Sequence, residues 1–250
     1  PITDANGAVV FDGTDNYLNM SNDFLNPLSE VTIFMVASKT RNTTDDREYF
    51  IEYNDRTNDD WIAFYTDTID LTTYRVAFGS TNGSGKRDTL TYDETFLSTT
   101  VFSETDSNYY YVNSNLLGVT AATGFNDVGY GADNQRIGSY NNGAGDFLDG
   151  TIYLLAVYNR KLNISEIHEV EKAINNHFSI YPDPQLQLSY SEDLVLYHLA
   201  GYEVTANADG VSQWDDLSGN NNHSTQITTA NKPTLNNTDG SIVFDGVEGL

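Results

Sequence analysis

Short runs of β-branched and aromatic residues recur along most of this 250-residue chain, and clusters of Asn, Asp, Gly, Ser and Thr separate them. Such runs are typical of β-strands, and such clusters are typical of turns. The runs lie at 9–11, 31–37, 49–53, 61–65, 74–78, 109–112, 116–119, 135–138, 151–158, 188–198 and 210–214. No long helical pattern alternates with them, which disfavours a parallel α/β fold. The sequence therefore predicts an all-β fold built from two packed antiparallel sheets.

One segment has the period of a helix instead of a strand. Asn163 can accept a hydrogen bond from the amide of Glu166 while the Glu166 side chain reaches back, which is a capping box. Apolar residues then recur at spacings of three and four, at Ile164, Ile167, Val170, Ile174 and Phe178. This stripe predicts one short helix near 164–178. The rigid segment Pro182-Asp-Pro184 follows it and predicts a domain boundary there.

A seven-residue segment near the start of the chain recurs near its end. Gly7-Ala-Val-Val-Phe-Asp-Gly13 returns as Gly240-Ser-Ile-Val-Phe-Asp-Gly246, an offset of 233 residues with five of the seven positions identical. The stretch 184–250 is too short to close a sandwich by itself. The repeat predicts that 184–250 is the front part of a second module, in a chain cut out of phase from a tandem array.

Three motifs near the end of the chain and four earlier ones occur in the order of a known type of module. The late motifs are Trp214-x-Asp-x-Ser-Gly-Asn220, Lys232-Pro-Thr-Leu235 and Phe244-Asp-Gly246, and the earlier ones lie at 11–18, 136–138, 147–152 and 157–163. Together they resemble the laminin-G-like, concanavalin A-like lectin jelly-roll modules of bacterial surface and phage proteins. The resemblance implies a two-sheet jelly roll over 1–183 that lacks its first strands. Residues 184–250 would open the next repeat or complete a jelly roll.

The charge of the chain restricts its partners. It has 36 acidic and 12 basic residues, and its net charge is −24. Such a surface repels nucleic acid and anionic lipid, so neither is an expected partner, and membrane insertion is not expected. It favours divalent cations and a salt-screened environment. The chain has no cysteine, which rules out disulfides but does not place it inside a cell. From its acidity, its abundant Asn, Thr and Tyr and its scarce Lys, we expect an extracellular, cell-surface or virion-associated protein.

The carboxylates do not form a glycosidase pattern, so we expect no enzymatic activity. Retaining β-glucanases of this fold need two carboxylates about 5–5.5 Å apart, commonly from Glu-x-Asp-x-x-Glu on one strand. Glu104-Thr-Asp106 begins that pattern, but Tyr109 occupies the position of the second glutamate. Glu48 and Glu52 lie on one predicted strand at a spacing that puts them on one face roughly 13 Å apart, and we interpret them as solvated edge charges.

Two loops offer oxygen ligands of the kind that calcium prefers. One contains Asp12, Asp15 and Asn16, and the other contains Asp216 and Asn220. The resemblance implies that such modules often bind a structural calcium ion near these loops. The alternative is that Asp12 and Asp216 cap turns through nearby backbone amides.

Two non-catalytic functions agree with these features. The first is a structural or adhesive repeat of an extracellular filament, large surface protein or virion fibre, with neighbouring copies of the module as head-to-tail partners. The alternative is a carbohydrate-binding, lectin-like module with cell-surface glycans as partners. The 17 tyrosines and two tryptophans supply rings that could stack on sugars, although strands and cores also use such residues.

Overall fold

A computed structural model describes residues 1–5, 7–20, 28–40, 47–55, 60–66, 73–78, 86–91, 93–121, 135–140, 145–181 and 194–244. The chain divides into two compact units, Pro1–Lys161 and Leu162–Leu250. The predicted boundary at Pro182-Asp-Pro184 lies outside the described residues. Whether 184–250 opens a further module stays a prediction.

The first unit contains two antiparallel sheets. One sheet contains β1 (Ile2–Thr3), β2 (Val9–Asp12), β4 (Glu30–Lys39), β9 (Thr95–Ser103), β10 (Asn108–Val112), β11 (Asn115–Thr120) and β13 (Asp149–Tyr158). The other contains β3 (Leu18–Asn19), β5 (Glu48–Asp55), β6 (Asp60–Thr66), β7 (Thr73–Phe78), β8 (Lys86–Thr89) and β12 (Gln135–Ile137). Among the described residues, the order in the first sheet is β1-β2-β13-β4-β9-β10-β11. In the second sheet the order is β3-β12-β5-β6-β7-β8.

The two sheets enclose one hydrophobic core. Met35 of β4 and Phe102 of β9 come from one sheet, and Phe50 of β5 and Phe64 of β6 come from the other. All four side chains are fully buried. A core made from the inner faces of two antiparallel sheets confirms the predicted jelly-roll sandwich.

Most predicted strands are present, but the sequence analysis missed several, including β8 and β9, and placed one wrongly. The largely apolar run 31–37 is a strand buried on both faces, as its composition predicted. The long buried strand β9 was missed because Ser98, Thr99 and Thr100 interrupt its apolar residues, and β8 was missed as well. The predicted strand region 188–198 lies partly outside the described residues, and its described portion, 194–198, is not a strand.

The second unit begins with the predicted helix, α1 (Ile164–Phe178). Its capping box is present: the Asn163 side chain accepts from the amide of Glu166, and the Glu166 carboxylate accepts from the amide of Asn163. Strands β14 (Val204–Asn207), β15 (Gly210–Trp214) and β16 (Ser224–Thr225) form one small antiparallel sheet. Strands β17 (Thr234–Leu235) and β18 (Ile242–Val243) form another. No helix in the described part of the chain is both long and apolar enough to cross a membrane.

Candidate functional site

The outer face of the six-stranded sheet carries a set of aromatic and charged side chains. Strand β5 pairs with β6 so that Tyr49 lies opposite Tyr65 and Glu52 lies opposite Ala63. Strand β12 pairs with the other edge of β5, which puts Arg136 opposite Glu52. Because cross-strand partners point to the same side of a sheet, these residues share one face. We name the set Tyr17, Arg47, Tyr49, Glu52, Tyr65, Arg136 and Tyr140 the tyrosine–arginine face.

Three tyrosines on this face form a continuous row of rings. Tyr49 stacks on Tyr65 with ring centroids 4.9 Å apart and planes 14° from parallel. Tyr140 lies on the other side of Tyr49, with centroids 4.8 Å apart and planes 30° from parallel. Tyr49 and Tyr65 are buried, while Tyr140 is partly exposed. Tyr49 and Tyr65 therefore form the buried part of the row, and Tyr140 is its accessible end.

Two arginines contact tyrosines of this face: Arg47 lies over Tyr65, in the row, and Arg136 lies over Tyr17, beside it. The Cζ atom of Arg47 is 5.7 Å from the centroid of the Tyr65 ring, and the Cζ atom of Arg136 is 5.5 Å from that of Tyr17. Both distances are within the range of cation–π contacts. Arg47 and Tyr17 are partly exposed, whereas Arg136 is buried.

The phenol of Tyr49 does not add negative charge at neutral pH. Burial raises the pKa of Tyr49 well above its ordinary value, although the positive charge of Arg47 opposes the shift. Arg47 and Arg136 place guanidinium groups at this face, in a chain whose net charge is −24.

The interpretation of Glu48 and Glu52 as solvated edge charges is wrong. Both are buried, and a β-bulge between Tyr49 and Ile51 breaks the alternation of side chains. Glu48 lies opposite Thr66 and Glu52 lies opposite Ala63, three residues apart on β6, so the two carboxylates point to opposite faces.

Glu48 joins the two sheets through an ion pair. Its Oε1 atom is 2.6 Å from Nζ of Lys39 on β4, and both side chains are 1% exposed. The amide of Asp149 on β13 donates to Oε2 of Glu48 at 3.1 Å. Glu48 is therefore bonded to two strands of the opposite sheet, and we assign it a structural role.

The first predicted calcium loop follows β2. Asp12 Oδ1 accepts from the amide of Thr14 at 3.0 Å, and Asn16 Nδ2 donates to Asp15 Oδ1 at 2.8 Å. The Asp12 contact is the turn cap that the sequence left open as the alternative. Asp12 and Asp15 are exposed and Asn16 is partly exposed, so this loop keeps oxygens that could bind a cation.

The second predicted calcium loop is a turn organised around Asp216. Its Oδ1 atom accepts from the amides of Tyr197 and Ser218, and its Oδ2 atom accepts from the Ser218 hydroxyl and the amide of Asn222. Four donors use the acceptor capacity of one carboxylate. Nδ2 of Asn220 donates to the carbonyl of Leu194 and to the Ser218 hydroxyl. Asp216 therefore does not fit calcium ligation in this geometry.

The described residues include no group of three or more His, Asp or Glu side chains placed to hold a metal ion. The tyrosine–arginine face was missed by the sequence analysis, which assigned no particular tyrosine to a sugar site. The available signal was tyrosine on neighbouring predicted strands, at Tyr49 and Tyr65. The register that brings them together is not visible in sequence.

No protein-family model matches this chain, and no curated protein matches it. Solved structures do match. The CBM40 domain of the Ruminococcus gnavus IT-sialidase, bound to alpha2,3 sialyllactose, has a TM-score of 0.51 at 15% identity over 66% of this chain and 96% of that one. The native heptameric SAP-like pentraxin from Limulus polyphemus has a TM-score of 0.47 at 15% identity, over 62% of this chain and 76% of that one.

Longer proteins also contain a similar structure. A structure concerned with the interaction of botulinum neurotoxin type C with two ganglioside molecules has a TM-score of 0.45 at 12% identity. The match covers 85% of this chain and 53% of that one. The fold is a two-sheet jelly roll. At 15% identity the similarity to the CBM40 domain shows only the fold of this chain, so its ligand has to be argued from its own residues.

Proposed function

We propose that this chain is a non-catalytic, glycan-binding module, and that the tyrosine–arginine face is its binding site. The observation that carries the proposal is the row Tyr140–Tyr49–Tyr65, which has arginines at one end and beside it. Aromatic rings pack against the apolar faces of sugars, and arginine donates paired hydrogen bonds to carboxylates. We infer that the ligand is a glycan that carries a carboxylate.

The partly exposed residues Tyr17, Arg47 and Tyr140 make the contacts in this proposal. Tyr49 and Tyr65 lie beneath them and fix the position of Tyr140, which reduces the ordering cost of binding. The sialyllactose bound to the CBM40 domain of similar fold makes a sialylated sugar the first ligand to test.

The test compares sialyllactose with lactose by isothermal titration calorimetry. The two sugars differ by the residue that carries the carboxylate, so we expect tighter binding of sialyllactose. Loss of a charged hydrogen bond in Arg47→Gln should weaken binding about tenfold. Arg160→Gln is the matched control, because Arg160 is an exposed arginine outside this face. Equal weakening in both variants, or no binding of any sugar on a glycan array, would refute the proposal.

The absence of catalysis is part of this proposal. It is supported by Glu48, which is held in the ion pair with Lys39, and by the bulge that turns Glu52 to the opposite face. A retaining glycosidase needs two carboxylates close together on one side of the sugar. We expect no reducing sugar to be released when the protein is incubated with the glycans that it binds. Release that is lost in Glu52→Gln would contradict this expectation.

A second candidate function, a structural or adhesive repeat at a cell or virion surface, is supported by the repeated heptapeptide. Each copy contains the second strand of a short antiparallel hairpin, β1–β2 in the first unit and β17–β18 in the second. Gly7 and Gly240 occupy equivalent positions and both have positive φ, 87° and 74°. The two functions are compatible, because glycan-binding modules can be repeated along one adhesive protein. The net charge of −24 suits an extracellular location.

A further inference from the structure

The hairpins β1–β2 and β17–β18 are equivalent in detail along their second strands. Gly7 donates its amide to the carbonyl of Asp4, and Gly240 donates to that of Asn236. The carbonyls of Ala8 and Ser241, one residue later, accept from the amides of Asp4 and Asn236, each the residue directly after the first strand. The first strands of the two hairpins differ in register by one residue, because the turn between β17 and β18 is one residue longer than the turn between β1 and β2. Strand β18 is therefore a second copy of β2.

The two copies differ in what lies at their other edge. Strand β2 pairs with β13, so that Val9 lies opposite Ile152, Val10 opposite Thr151 and Phe11 opposite Gly150. In the described part of the chain, β18 pairs with β17 alone.

This difference is visible in the exposure of the equivalent phenylalanines. Phe11 is 1% exposed, whereas Phe244 is 48% exposed and Val243 is 49% exposed. An edge strand with exposed apolar side chains is a template for pairing with another strand.

The site that receives Phe11 is shaped for a phenylalanine ring. A Cβ atom added to Gly138 would lie 2.3 Å from Cε1 of Phe11, so the ring packs directly on the glycine backbone. Gly138 also has a φ of 88°, which disfavours other residues there. Ile242 and Val243 of β18, and Phe244 directly after it, occupy the positions of Val9, Val10 and Phe11, so this segment matches the same site.

We propose that the β17–β18 hairpin of one copy of this chain can replace the β1–β2 hairpin in a second copy. Ile242 and Val243 would pair with Ile152 and Thr151 of that copy, and Phe244 would pack against its Gly138. Such an exchange is heterologous, so it joins copies head to tail. The inference rests on the second candidate function and is independent of glycan binding. In an intact copy the hairpin on the same chain has the advantage of high effective concentration.

A disulfide trap tests this exchange, since the chain has no cysteine of its own. Thr151→Cys with Val243→Cys is placed in a Phe11→Ala background, which weakens the internal hairpin and empties the site on Gly138. We expect a ladder of disulfide-linked copies on non-reducing gels and oligomers in light scattering. Thr151→Cys with Val10→Cys in the otherwise unchanged chain is the geometric control, and it should form the link within one copy.

Adding Phe244→Ala to the trap removes the ring that fills the site. We expect about tenfold less linked dimer, the equivalent of burying one aromatic side chain. A folded Phe11→Ala trap that stays monomeric overturns the proposal, and so does a ladder that Phe244→Ala leaves unchanged. If Phe11→Ala does not fold, Phe11→Leu gives the same readout, and a monomer there also overturns it. Glycan binding through Arg47 and Tyr140 should be unaffected by Phe244→Ala, so the two proposals can fail separately.

Discussion

Glu48 in the first unit and Asp216 in the second are both buried carboxylates, and the two units stabilise them by different means. Glu48 is paired with the ammonium group of Lys39, which comes from the opposite sheet. Asp216 instead accepts hydrogen bonds from three backbone amides and one hydroxyl of its own unit. The ion pair joins the two sheets of the sandwich through the consecutive strands β4 and β5, whereas the donors to Asp216 hold the loop 216–222 together and bond it to Tyr197. Loss of the first should therefore affect the whole sandwich, and loss of the second should affect a local turn.

The largest expected effect is that of breaking the ion pair. Glu48→Gln leaves the Lys39 ammonium buried without its counter-charge, which costs about 3–5 kcal/mol of unfolding free energy. Denaturant unfolding measures this loss. Lys39→Met with Glu48→Gln removes both charges and keeps an acceptor for the amide of Asp149, so it should recover most of the stability. Equal destabilisation of the single and double variants would show that packing, and not charge, accounts for the loss.

The next largest expected effect is a loss of thermal stability when Asp216 is replaced. Burial raises the pKa of Asp216, but hydrogen bonds from Ser218, Asn222 and Tyr197 outweigh it and hold the pKa far below its ordinary value. The stabilisation is therefore fully present above about pH 4 and is lost as the pH falls further. Asp216→Asn removes one acceptor oxygen and should lower the Tm by a few degrees at pH 7. Asp209→Asn, at an exposed aspartate, should leave the Tm unchanged. Equal Tm values for the two variants would contradict the proposed role of the turn.

His168, in the second unit, is a third ionisable group whose surroundings change its pKa, and here they disfavour the charged form. Burial lowers the pKa of His168, although its hydrogen bond to the carbonyl of Gly201 opposes the shift. A lowered histidine pKa gives stability that is present above about pH 6.5 and is lost as the pH falls below it. We expect the difference in unfolding free energy between pH 7.5 and pH 5 to shrink in His168→Gln. His177→Gln, at an exposed histidine of α1, should keep the difference. The same shrinkage in both variants would mean that His168 is not the source.

The smallest expected effect is that of calcium. The loop of Asp12, Asp15 and Asn16 keeps accessible oxygens, whereas Asp216 has none to spare. Calcium should therefore raise the Tm slightly, by mass action on the folded state. The rise should disappear in Asp12→Asn with Asp15→Asn and persist in Asp216→Asn. A Tm that does not respond to calcium would rule out the predicted ion.

The secondary structure of this chain could be predicted from its sequence better than its candidate sites could. The runs 31–37 and 151–158 and the stripe of α1 were recognisable, because burial imposes a period on neighbouring residues. Strand β9 was not, since its buried positions include Ser98, Thr99 and Thr100. The calcium loops were named from their residue types, but only geometry separates the accessible Asp15 from Asp216, which is surrounded by donors.

The sequence alone determined the all-β class, the helix with its capping box and the repeated heptapeptide, because each depends on residues close together in the chain. Tertiary structure alone decided which tyrosines stack, which arginines lie beside them and which carboxylate meets Lys39. A single bulge between Tyr49 and Ile51 reverses the faces of Glu48 and Glu52, so the alternation read from sequence failed there. Strand register and bulges are set by packing between segments of the chain. A site whose residues come from several strands therefore depends on that packing and cannot be located from the sequence alone.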